Sequence, residues 1–459
     1  MAGSYSSVLR DELNRIEYDN QILSNIGENV SRFSSGCLVN DLIMGGGVPP
    51  AMVTYLGHET GGKSTLLNHT LYSGLQSGVK NILHFDAEGT RDPEYVDHIF
   101  KDLDLSEIYG IPGSKPGEWK VEPLVNYYAY SQFERVFGVF RAFLNILPDK
   151  IYRKNDNTWY YVFSNKKEEL ARLRSMDLTV DKKLSDRKKY WCPTDDAGTQ
   201  AILAVDSWVS LVLESQEEEE NDKSGIAAEA REFPKRLRQL KGRILRKQAV
   251  LLGTNQIREA PMVRYGNPNY EPGGNALKFW SDIRNGMRPI VPKDGFIRDK
   301  EAGALSVEDS IFHGKDHYAF KSITNVKNKY GRPLLKGKIR IWVSDPKGKA
   351  HGIDPVYDIY QYLSMTGQLA GSIGRGFTVD HPHLSGIKMK WKDFKELVLY
   401  EHFNEDKKLK SWRKSRKISK KFNLRNWCEA QIHSGKALDL LYSSSAKTPD
   451  TEESDYDSS

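Results

Sequence analysis

The sequence predicts an α/β protein built around a largely parallel sheet, and three observations carry that prediction. Apolar runs at 51–57, 80–87, 200–206 and 248–254 alternate with helical patterns at 63–77, 130–147 and 226–246. Such alternation marks βαβ units rather than sandwiches or bundles. Gly57 to Ser64, "GHETGGKS", fits G-x-x-x-x-G-K-[ST] between a strand-like run and a helical one, the setting that motif needs. At 459 residues the chain exceeds what one hydrophobic core supports, so two or three units are expected.

The elements follow in order. Leu9, Leu13, Ile16 and Leu23 fall at helical spacing inside residues 1–33, which predicts an amphipathic helix that docks on its own core or on a neighbouring subunit. The core is expected over 34–349. Within it, 149–199 is polar, with one strand-like "TWYYVF" and one helical "KKEELARLRS", and reads as an insertion. "KIRIWVS", 338–344, alternates as an amphipathic strand. From about 350 the pattern turns helical and basic, predicting a smaller C-terminal domain over 350–442. The remaining 443–459 are acidic and expected to be disordered.

Lysine and arginine total 67 against 61 acids, a net +6. Distribution says more than the sum. Residues 407–425 hold ten basic residues and no acid, and the last twelve residues hold five acids and no base. A polyanion-binding surface with an internal competitor is one reading, and a solvated helix with a solubilising tail is the other. No run of eighteen apolar residues occurs, so no membrane span is expected. The N-terminus has acids and no apolar core of a secretory signal. Three widely spaced cysteines, Cys37, Cys192 and Cys428, match no zinc spacing and suit a reducing cytoplasm.

The loop Gly57, His58, Glu59, Thr60, Gly61, Gly62, Lys63, Ser64, with Thr65 after it, is expected to cradle phosphates. Its glycines let backbone N–H groups curl round an anion, and the helix behind adds positive potential. Lys63 reaches the β and γ phosphates, and Ser64 offers a hydroxyl to Mg²⁺. Asp206 ends the run "AILAVD" at the carboxyl edge of a strand, where it would hold Mg²⁺. "NILHFDAEG" ends another strand in Asp86-Ala87-Glu88, and Glu88, at the strand exit, is the better placed to deprotonate a water. In 226–246, Ile226, Ala230, Phe233, Leu237, Leu240 and Ile244 share one face, with Arg231, Lys235 and Arg238 opposite. Pro234 predicts a kink, or a start near Phe233.

The long, turn-rich stretch Thr254–Trp280 completes a match. "GHETGGKST", "FDAEGTRDPEY", "AVDS", "NQIR", "YGNPNYEPGGNALKFW" and "NVKNKYGRP" occur in an order that resembles bacterial RecA, the DNA strand-exchange ATPase, over roughly 33–350. "GIDPVYDIYQYLSMTG" resembles phage-encoded RecA-like recombinases of the UvsX group more than cellular RecA. The resemblance implies a RecA-type P-loop ATPase core, ATP and Mg²⁺ as cofactors, and Glu88 as catalytic base. It implies that Asp92 and Tyr95 hold the adenine and that Gln256 senses the γ phosphate. Lys327 and Lys329 would reach the next subunit's ATP. Arg231 and Arg238 would lie near DNA phosphates.

In the second DNA loop, Arg258 and Arg264 supply charge, and Pro261 or Met262 would be the wedge between bases. Gly273, Gly274 and Asn275 present backbone amides to phosphate. The first DNA loop falls on the acidic stretch Glu214–Gly225, a departure from the family. Implied partners are single-stranded DNA, a homologous duplex, copies of this chain in a helical filament, and single-strand-binding or mediator proteins, all in the cytoplasm of a bacterial or phage-infected cell. A hexameric helicase of the same superfamily is the alternative. A small-molecule kinase and a non-catalytic ATP-locked scaffold are further rivals.

Overall fold

Four apolar runs become neighbours in one sheet. The computed structural model describes residues 31–445, apart from 90–92, 101–102, 104, 116–117, 214–221, 260–268, 273–274, 291–295, 300–302, 307–311, 314–315, 345–351, 373–374 and 420–421. The sheet strands are β1 (Met52–Gly57), β2 (Asn81–Asp86), β3 (Val125–Tyr128), β4 (Ala201–Asp206), β5 (Ala249–Gln256), β6 (Ile283–Pro289), β7 (Asp316–Asn328), β8 (Lys336–Ser344) and β9 (Gly352–Ile353). Their order is β9-β8-β7-β6-β1-β5-β4-β2-β3. From β6 to β3 every pairing is parallel. The strands β7, β8 and β9 add antiparallel.

Strands of such a sheet are covered on both faces, which is why they read as continuous apolar runs. Alternate residues divide between the faces. Val53, Tyr55, Ile82, Ile202, Ala204, Val250 and Leu252 pack with Leu66, Leu67 and Leu71 of helix α2 (Lys63–Gln76). Leu83, Phe85, Leu203, Val205 and Leu251 pack with the phenylalanines of α3 (Phe133–Ile146) and with Phe233, Leu237, Leu240 and Ile244 of α4 (Asp222–Arg246). Helix α4 is continuous through Pro234 and begins eleven residues before Phe233, contrary to the expected start there. The proline removes one backbone donor, but Phe233 and Leu237 on either side of it are buried and anchor both halves.

Residues 149–199 form a three-stranded antiparallel sheet, Asp149–Arg153, Thr158–Ser164 and Lys189–Thr194, with the helix Lys167–Ser175 on one face. Helix α1 (Leu38–Met44) lends Leu38 and Leu42 to the core of the C-terminal helices. These are α5 (Pro355–Met365), α6 (Trp391–His402), α7 (Asp406–Ser415), α8 (Leu424–His433) and α9 (Lys436–Ser445). The buried Asp358 carboxylate accepts from Leu38 N (2.8 Å) and Val39 N (3.0 Å), tying α1 to α5.

The basic run 407–425 is less free than its composition implies. Arg413 pairs with Glu401, Arg416 with Asp393, and Arg425 with Glu429. Lys407, Lys408, Lys410, Lys414 and Lys417 stay exposed. The three cysteines are buried and free. Among the described residues no helix is long and apolar enough to cross a membrane. The expected N-terminal helix at 6–24 and residues 446–459 of the acidic tail lie outside the described residues, while 443–445, expected to be disordered, end helix α9.

Candidate functional site

The loop between β1 and α2 is shaped by crowding. A side chain at Gly57 would meet Met287 O at 2.3 Å, and one at Gly62, where φ is +87°, would meet Ile341 Cδ1 at 2.4 Å. Only glycine fits either place. Lys63 folds over the loop it ends, its Nζ donating to His58 O at 2.8 Å. Burial lowers its pKa, while Asp206, Glu88 and Glu59 hold it up.

Strand register brings the acids to that loop. Asp86 at the end of β2 stands opposite Asp206 at the end of β4. Ala87 N and Glu88 N both donate to Asp206 O, at 2.7 and 3.2 Å, which fixes the turn carrying Glu88. Asp86 is spent structurally: it accepts from Tyr127 Oη at 2.7 Å and from Gly89 N at 2.9 Å. Asp206 accepts the hydroxyl of Thr254, and the nearby Ser64 hydroxyl also favours its ionised form. Burial first, then Glu88 and Asp86, push the Asp206 carboxyl up to about 6. Glu88 Oε1 accepts from Ser207 Oγ at 2.7 Å and from Gln256 Nε2 at 3.3 Å.

The donor set fits a magnesium ion that shares its shell with phosphate and water. Ser64 and Asp206 already converge, and among the described residues no cluster of three protein ligands forms a closed cage. Magnesium bound through one or two protein oxygens is the usual arrangement beside a nucleotide.

Tyr95 is pinned by its hydroxyl to Thr65, and burial pushes its pKa up to about 12. Asp92 lies outside the described residues. Lys327 and Lys329 are not at their own chain's phosphate loop. Lys327 sits opposite Arg284, whereas the loop leaves β1 opposite Met287. Lys327 Nζ donates to Lys278 O and Phe279 O, both at 2.8 Å, and Lys329 pairs with Asp282 at 3.2 Å.

Of the expected DNA residues, Arg231 and Arg238 are exposed on α4, opposite the buried Phe233, Leu237 and Leu240. Among the described residues neither forms an ion pair. Arg258 is exposed and opens a short hairpin, pairing with Tyr270 as Glu259 pairs with Asn269. The stretch after Gln256 is therefore a hairpin stem where the sequence reads as an unpaired loop. Asn275, exposed, precedes the short helix Ala276–Trp280. Pro261, Met262, Arg264, Gly273 and Gly274 lie outside the described residues, as does 214–221.

Sequence reasoning missed Ser207 and Thr254, which orient the two acids, and Lys321. Lys321 Nζ donates to Thr60 O, at the crown of the loop, at 2.9 Å. A signal existed: Lys321 occupies a core-facing place in the alternation that also buries Ile323 and Asn325.

Comparison with known proteins is consistent across two searches. Residues 195–342 match the family described as the RecA N-terminal domain. Protein RecA of Aquifex pyrophilus is 40% identical over 95 residues, 21% of this chain and 27% of that relative. Protein RecA of Clostridium acetobutylicum is 26% identical over 266 residues, 57% of this chain and 55% of the relative. Protein RecA of Synechocystis sp. is 26% identical over 263 residues, covering 57% and 54%. The chain thus spans little more than half the length of these relatives at most.

Proposed function

Because the chain belongs to the RecA family, we propose that it is a DNA-dependent ATPase that assembles on single-stranded DNA and catalyses homologous pairing and strand exchange. The observation that carries this reading is the hydrogen bond from Gln256 Nε2 to Glu88 Oε1, 3.3 Å. Gln256 ends β5 two residues before Arg258, where the hairpin opens. A change in the hairpin therefore reaches the catalytic carboxylate through a single side chain.

Within this reading Lys63 and the loop amides bind the β and γ phosphates. Ser64 and Asp206 would hold magnesium, which when bound would supply positive charge to the phosphate oxygens. Glu88, oriented by Ser207, takes the proton of the attacking water. Tyr95 and Asp92 hold the adenine. Arg231, Arg238 and Arg258 neutralise DNA phosphates without reading sequence. Pro261, Met262, Arg264, Gly273, Gly274 and Asn275 complete the DNA loop.

Self-assembly is supported by an apolar patch on the edge bearing Lys327 and Lys329: Phe279 is 69% exposed, Leu334 68% and Val326 39%. Exposed apolar groups gathered beside cations that are held away from their own phosphate loop suit a second copy of the chain. Lys327 and Lys329 would then serve that copy's ATP in trans. The exposed lysines of 407–417 would recruit the homologous duplex, with the acidic tail competing for them. The proposed setting is the bacterial or phage-infected cytoplasm, with single-strand-binding and mediator proteins as further partners.

The test is ATP hydrolysis with and without single-stranded DNA, on wild type and Glu88→Gln. The reading expects DNA to raise wild-type turnover and Glu88→Gln to abolish it while retaining DNA binding. Turnover indifferent to single-stranded DNA refutes it. Duplex unwinding without strand exchange transfers the chain to the helicases.

A further inference from the structure

Among the described residues, the buried lysines and arginines other than Lys321 have carboxylates that either pair with them or hold their charge up from nearby. Arg340, 3% exposed, pairs with Asp354. Lys150, 1% exposed, pairs with Asp196 at 3.0 Å. Even Lys63 lies within reach of Asp206, Glu88 and Glu59. Lys321 is 8% exposed and has none of these. Among the described residues its hydrogen-bond partner is a neutral acceptor, Thr60 O at 2.9 Å. Among the described residues the only charge that acts on it is Lys63, which repels it; burial and that repulsion both lower its pKa.

An ammonium withdrawn from water without a counter-ion is costly, and a like charge beside it raises the cost. The position is held firmly from both sides. Lys321 lies opposite Pro289 on β6 and opposite Ile339 on β8. It projects to the sheet face that carries α2, alongside Ile323 and Ile341 of the same core. The Lys327 end of β7 is six residues further along the strand, or ~20 Å. One strand therefore presents a cation to its own phosphate loop at one end and two cations to the assembly edge at the other.

We propose that Lys321 is a second cation for the terminal phosphates of the nucleoside triphosphate, supplied in cis from β7. The anion it lacks is the γ phosphate, brought to the crown of the loop at Thr60. The inference rests on the reading of Gly57–Ser64 as a nucleotide site and deepens it: Lys63 and Lys321 would grip the phosphate chain from two elements.

The experiment titrates the full chain with fluorescent N-methylanthraniloyl ATP and ADP in the presence of Mg²⁺, for wild type, Lys321→Met and Lys321→Arg. A hydrogen bond to a charged group corresponds to roughly ten-fold or more in affinity. Lys321→Met is expected to weaken ATP about ten-fold or more and to leave ADP nearly unchanged. Lys321→Arg keeps the charge and should retain the preference for ATP. Without nucleotide, Lys321→Met should melt at or above the wild-type temperature, because an unpaired buried charge has gone. Equal losses for ATP and ADP, or a fall in melting temperature with no change in the ATP-to-ADP ratio, make Lys321 a strut for the loop and overturn the proposal. If wild type binds neither nucleotide, the reading of the loop itself fails.

Discussion

Replacing Gln256 by alanine isolates the link between DNA and chemistry. The substitution removes one donor from Glu88 and leaves the other, Ser207 Oγ at 2.7 Å. Glu88 therefore stays oriented, and turnover without DNA should be largely kept. What is lost is the bond through which the hairpin at Arg258 addresses the carboxylate. Hydrogen bonds to charged groups contribute about 1.5–3 kcal/mol. At 3.3 Å this one belongs at the low end of that range. A change of 1.36 kcal/mol in a barrier is tenfold in rate, so DNA-stimulated turnover should fall about ten-fold. The assay is steady-state ATP hydrolysis against a titration of single-stranded DNA, with DNA affinity measured separately by fluorescence anisotropy. A stimulated-to-basal ratio equal to wild type, at saturating DNA, refutes the coupling. Ser207→Ala supplies the contrast: it should lower basal and stimulated rates together, leaving their ratio intact.

Three further outcomes are expected. Asp206 has its carboxyl pushed up to about 6, above the ordinary carboxylate value of 3.8, so its contribution to stability is complete below the lower value and disappears as pH rises through about 6. Magnesium requires the ionised form, so the rise in melting temperature caused by Mg²⁺ should grow across pH 6 in wild type and vanish in Asp206→Asn; a pH-independent increment argues against Asp206 as the ligand. Gly253→Ala would set a Cβ 1.9 Å from Trp208 Nε1, in the strand that carries Gln256. Overpacking of this kind costs typically about 1–3 kcal/mol, and urea unfolding should show a loss at or above the top of that range; wild-type stability would mean that Trp208 moves freely. Arg231→Ala and Arg238→Ala should each weaken single-stranded DNA binding and make the dependence of log affinity on log salt shallower by about 0.7. An unchanged slope removes that arginine from the DNA surface.

The sheet was legible where hydrophobicity alone builds it. β1, β2, β4 and β5 are buried on both faces and read as apolar runs whose ends lie close to the observed ones. β6, "IRNGMRP", was not, because polar groups on other elements satisfy its own. Asn285 donates to Asn40 Oδ1 and accepts from Asn325, both at 2.6 Å, and Arg284 pairs with Glu271. A buried polar ladder of this kind is stable only when its members meet, and hydropathy along one strand cannot report a meeting. The pairing within the run 407–425 was illegible for the same reason, since the acids that claim three of its arginines, Glu401, Asp393 and Glu429, lie outside it.

The site divides along the same line. The phosphate loop and the strand-end acids announce themselves because each chemistry lies within a few consecutive residues. The contacts that tune it do not: Ser207 reaches Glu88 across 119 positions, Gln256 across 168, and Lys321 reaches Thr60 across 261. Each depends on the order β7-β6-β1-β5-β4-β2, and strand order is set by the packing of the whole chain. The same order explains how three distant side chains converge. Crossovers that bring β1, β5, β4 and β2 together in parallel align their carboxyl ends, and β7, entering antiparallel two strands from β1, carries Lys321 at that end and Lys327 at the other. The strand polarity that would give the phosphate loop a second cation is thus the one that keeps Lys327 and Lys329 away from that loop, where the proposed assembly would bring them to another copy of the chain.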